Sequence, residues 1–139
     1  MGTEDQTLSM IYLEQEMVYG FQAFGVDETL DRVDFEALLL QQYNLKNANA
    51  IDPFVPLEVV GADYKSERYV GEIKNSNEQS IECAYVLALG RDETGKAISI
   101  DATFVDNVAA KGMTPFSMYS GRDASIHPAT VEYYAYFWH

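Results

Sequence analysis

The chain has 139 residues, 47% of them hydrophobic and 13% aromatic, which excludes a disordered tail and suits one domain with a core of its own. At this length folding buries about 68% of the unfolded surface without help from disulfides or metals. Its 22 acidic against 9 basic residues give a net charge of −13, a surface that repels the phosphate backbone and speaks against direct nucleic-acid binding.

The first 45 residues read as helical. Thr3 and Gln6 form a capping box, with Glu4 and Asp5 near the positive end of the helix dipole. Met10, Leu13, Met17, Phe21 and Phe24 follow helical spacing, and Leu8, Ile11, Tyr12, Val18 and Tyr19 form a second apolar face. Such a helix is expected to be buried on both sides. Gly25 ends it, and Asp27 caps a second helix running to about Tyr43. Leu30, Val33, Ala37 and Leu40 mark the main stripe of that helix, opposite Asp27, Asp31 and Asp34. Phe35, Leu38 and Leu39 spread apolar surface beyond the stripe, available to the core or to a partner. Pro53 and Pro56 then exclude helix from a connecting loop.

From residue 57 onward the chain reads as strands. LEVVGADY, ERYVGEIK, SIECAYVLAL and AISIDATFV are rich in β-branched and aromatic residues, with NSNE and DETG as turns between them. DNVAAKGM suggests one short helical turn, and TPFSMYS and TVEYYAYFW supply one or two further strands. Alternation in the last of these places Glu132, Tyr134, Tyr136 and Trp138 on one face, and Val131, Tyr133, Ala135 and Phe137 on the other. Both faces are aromatic. One is expected to pack on the helices, and the other to meet a partner, bind a flat ligand or form a second packed layer. The expected fold is a single α+β domain over residues 1–139, with helices at about 4–45 packed on a curved antiparallel meander of five or six strands at about 57–139.

GRDETGKA, residues 90–97, differs by one residue from a phosphate-binding loop. Ala97 stands where the metal-ligating hydroxyl belongs, Asp92 and Glu93 oppose phosphate, and the following residues alternate as a strand where a helix is required. The segment therefore predicts a hairpin: residues 81–90 pair with 97–105, with Gly95 at the turn.

No nucleophile elbow, zinc-type spacing or EF-hand loop occurs, so neither a metal nor a cofactor is called for. His127 reads as a loop histidine, and Cys83 as a small hydrophobe within an apolar strand. The absence of a long apolar stretch, the acidic MGTEDQ start and the single cysteine lead to the expectation of an intracellular protein without a membrane span.

Two functional expectations follow. In the first the chain is a non-enzymatic binding or assembly protein, either self-associating or docking on a basic protein partner. Its surface would comprise Asp27, Asp31, Asp34, Phe35, Leu38 and Leu39, together with Glu132, Tyr134, Tyr136 and Trp138. In the second, a pocket between helices and sheet, lined by Asp101, His127, Tyr85 and Tyr119, binds a small ligand or supports a modest enzyme.

Overall fold

The computed structural model describes residues 15–20, 51, 53–121 and 125–138. Six strands follow in chain order: β1 (Glu58–Lys65), β2 (Arg68–Asn75), β3 (Ile81–Arg91), β4 (Ala97–Val108), β5 (Gly112–Tyr119) and β6 (Thr130–Trp138). They form two antiparallel three-stranded sheets, the first ordered β1-β2-β5 and the second β4-β3-β6.

The hairpin expected around Gly95 is present. Residues of β3 and β4 pair in register from Ile81↔Val108 to Gly90↔Ser99, and Gly95 adopts φ 84°. Asp92 organises the turn, its Oδ1 accepting from Thr94 N at 2.8 Å, Thr94 Oγ1 at 2.6 Å and Lys96 N at 3.0 Å. A carboxylate thus occupies the amide cradle that a phosphate would need.

A helix is absent among the described residues, and the single meander does not form. Residues 15–20 fall inside the first expected helix, yet they run as an irregular strap. Met17, Val18 and Tyr19 are consecutive, and all three pack against the second sheet. Val18 N–H donates to the Tyr136 hydroxyl at 2.9 Å instead of to a helical carbonyl. Burial on a sheet has overridden the helical period. The rest of that helix and the whole of the second lie outside the described residues.

The sheet divides because the chain changes layer after β2. That strand pairs with β1 and β5, never with β3. The turn that carries the crossing is built on two buried asparagines. Asn77 accepts from Val55 N at 2.8 Å, donates to Val55 O at 2.8 Å, and donates to Asn75 Oδ1 at 2.9 Å. Asn75 donates in turn to Gln79 O at 3.0 Å. Buried side-chain amides here satisfy backbone groups that no ladder reaches. The helical turn expected near residue 110 is instead a tight connection between β4 and β5, with Asn107 and Lys111 at positive φ.

Both sheets contribute to one core. Tyr69 and Ile73 of β2 and Phe116 and Met118 of β5 meet Ala84, Val86 and Ala88 of β3 and Phe137 of β6. One face of the last strand therefore meets a second packed layer, made by a sheet. β3 is covered on its other face as well, which accounts for its nearly unbroken apolar run. Pro115 stands in β5, an edge strand, where a missing N–H is tolerated. No helix among the described residues is long and apolar enough to cross a membrane.

Candidate functional site

The outer face of the second sheet is a grid of three strands. Register places Asp106, Phe104, Ala102 and Ile100 of β4 opposite Cys83, Tyr85, Leu87 and Leu89 of β3. On the other side of β3, the same residues face Trp138, Tyr136, Tyr134 and Glu132 of β6. The final-strand residues expected to share a face do share it.

The strap covers part of this grid. Met17, Val18 and Tyr19 join Tyr85, Leu87, Leu89 and Tyr136 in a small cluster, and the Tyr19 ring lies 5.8 Å from that of Tyr85. Gly20 crosses above Ile100 so closely that any Cβ there would overlap the isoleucine side chain. Burial, with Tyr19 and Tyr136 alongside, pushes the Tyr85 phenol up to about 12.

At the far end the grid reaches solvent. Phe104 is 53% exposed, although its ring lies 5.3 Å from Tyr85 and 5.1 Å, edge-on, from Trp138. Trp138 completes the trio at 5.3 Å from Tyr85. Asp106, exposed, adjoins this end; burial and a hydrogen bond with Asp106 raise the Cys83 thiol. Across the opposite end, Glu132 Oε1 pairs with Arg91 Nε at 3.0 Å, and its Oε2 accepts from the Tyr134 hydroxyl at 2.8 Å. Those two partners hold the Glu132 carboxyl below the usual glutamate range, the Tyr134 bond contributing most. Period-2 alternation in AISIDATFV already places Ile100 and Phe104 on one face. Combined with the Gly95 turn, it sets Phe104 opposite Tyr85, a signal that reading the two strands separately misses.

The residues of the alternative pocket sit on different elements, and Tyr85 lies on the opposite face of the second sheet from Asp101. Asp101 lies on the opposite face of β4 from Phe104. Its Oδ1 accepts from Gly121 N at 2.7 Å and its Oδ2 from Ser120 Oγ at 3.3 Å, so it ties the end of β5 to β4. Tyr119 is exposed at the end of β5, with the Arg68 guanidinium 3.6 Å above its ring. His127 is exposed in the loop before β6, and Tyr85 is buried beneath the strap. Asp27, Asp31, Asp34, Phe35, Leu38 and Leu39 lie outside the described residues.

A separate cleft of about 390 Å³ opens where the start of β1 passes β6. Residues 15–16, 56–59 and 133–136 line it, and none of Asp101, His127, Tyr85 or Tyr119 reaches it. Among the described residues no group of three His, Cys, Asp or Glu side chains is placed to hold a metal. The chain matches no protein-family model, no curated protein and no solved structure.

Proposed function

We propose that the chain is a non-enzymatic protein-binding module that docks a basic protein partner on the solvent-exposed end of the second sheet's outer face. The observation that carries this reading is Phe104, more than half exposed at the centre of an aromatic trio with Tyr85 and Trp138. Aromatic side chains bring large contact area for little lost rotamer freedom, and they concentrate at the centres of interfaces. One acid, Asp106, adjoins the trio, and the whole chain carries a net charge of −13. That charge repels a second copy and attracts a basic surface, so it favours hetero-association over self-association. The strap illustrates the chemistry that the face accepts, since Met17, Val18 and Tyr19 lie on it through side-chain packing.

Comparative capture tests the reading. Wild-type protein, Phe104→Glu and the control Met113→Glu are each used as bait in native lysate. Met113 is equally exposed on the first sheet, so its substitution carries the same chemical change to a different face. Partners retained by the wild type and by Met113→Glu should be lost by Phe104→Glu, and they should be basic. Equal retention by all three baits refutes the assignment.

A further inference from the structure

The cleft between β1 and β6 has a chemistry of its own. One side is formed by residues 56–59, with Leu57 and Val59, and the other by the consecutive residues 133–136 of β6, three of them tyrosines. Its volume of about 390 Å³ falls in the range of small-ligand sites. Among the described residues no lysine, arginine or histidine lines it, whereas two carboxylates do, those of Glu16 and Glu58. Glu58 shares its Oε2 with Lys74 Nζ at 2.9 Å, at the flank of the cleft. Glu16 is exposed and makes no hydrogen bond or ion pair among the described residues.

These groups select among ligand classes. An anion would meet both carboxylates and the field of a chain of net charge −13. A neutral ligand would gain only from the apolar and aromatic walls. A cation with an apolar body gains from the walls and from Glu16. We infer that the cleft binds a small organic cation, with its charged head at Glu16 and its apolar body between Leu57, Val59 and the tyrosines. This site shares no lining residue with the aromatic trio of Tyr85, Phe104 and Trp138.

The test is a titration followed by NMR chemical shifts at constant ionic strength. The probes are benzyltrimethylammonium, benzyl alcohol and benzoate, which share a ring and differ in charge. Benzyltrimethylammonium should shift residues 57–59 and 133–136 saturably, at lower concentration than benzyl alcohol, while benzoate leaves them unmoved. Glu16→Gln should weaken the cation about threefold, the effect of one solvent-exposed ion pair. Phe104→Glu should leave it unchanged, so loss of the protein partner and loss of the cation are separable results. Absence of saturable shifts, or equal response to all three probes, overturns the site. Undiminished affinity in Glu16→Gln overturns the placement of the charge.

Discussion

Replacing Asn77 by alanine removes the clamp at the point where the chain passes from one sheet to the other. The side chain is 3% exposed and makes three hydrogen bonds: one from Val55 N, one to Val55 O and one to Asn75 Oδ1. Each buried hydrogen bond contributes about 0.5–1.5 kcal/mol net, so three amount to roughly 3 kcal/mol. Val55 is itself exposed, and water can recover part of its loss. Asn75 Oδ1 still receives the residue 77 amide at 2.9 Å, because that bond comes from the main chain. The expected destabilisation is therefore about 2–3 kcal/mol, a fall in Tm of roughly 10 °C for a domain of this size. Asn77→Asp should cost at least as much, since it loses both donors and sets a carboxylate against Asn75 Oδ1 in a buried site. Guanidinium unfolding followed by the fluorescence of the single tryptophan, Trp138, provides the assay. A loss below 0.5 kcal/mol for Asn77→Ala, with unchanged m, would refute the assignment of the crossing to this amide pair.

Three further outcomes test other parts of the fold. Gly90→Ala should cost more than Gly95→Ala, because a Cβ at Gly90 overlaps Ser99 Oγ and the Pro128 ring, whereas Gly95 faces open space. The cost at Gly95 is the positive φ alone, about 1 kcal/mol, and comparable melting temperatures for the two variants would contradict this packing. Asp101→Ala should speed amide exchange at Gly121 while leaving the Tyr85 region protected, at a cost of about 1–2 kcal/mol; uniform loss of protection would mean that Asp101 does more than tie two strands. A spectrophotometric alkaline titration should show a phenol ionising near 12 that disappears in Tyr85→Phe. Because the folded pKa lies above the unfolded value of about 10, this neutral phenol supports the fold fully below pH 10 and loses that support as pH rises toward 12. Retention of the late step in Tyr85→Phe would assign it elsewhere.

Local features of the sheets were legible in the sequence. The β3–β4 hairpin followed from turn chemistry at Asp92 and Gly95 with alternation on both sides, and these signals act within a few residues. The two faces of β6 followed from period-2 spacing for the same reason. Partition into two sheets was not legible, because it depends on Asn77, braced by Asn75, meeting Val55 some twenty residues earlier, and on β2 choosing β5 over β3. Nothing in NSNE distinguishes a hairpin turn from a crossing. Residues 15–20 misled through their own composition: Met17, Val18 and Tyr19 suit a two-faced helix as well as they suit a strap on an aromatic sheet. The site was half legible. Tyr134, Tyr136 and Trp138 were placed on one face, but the exposure of Phe104 emerges only when strand register and the path of the strap are known.

The location of the binding face is open to direct measurement by amide hydrogen exchange on the protein alone and on the complex recovered with its partner. Docking at the aromatic trio should slow exchange in residues 103–106 of β4 and 136–138 of β6, leaving the β1–β2 hairpin of the first sheet unchanged. New protection confined to that hairpin, with none around Phe104 and Trp138, would contradict the outer face of the second sheet as the place where this protein binds.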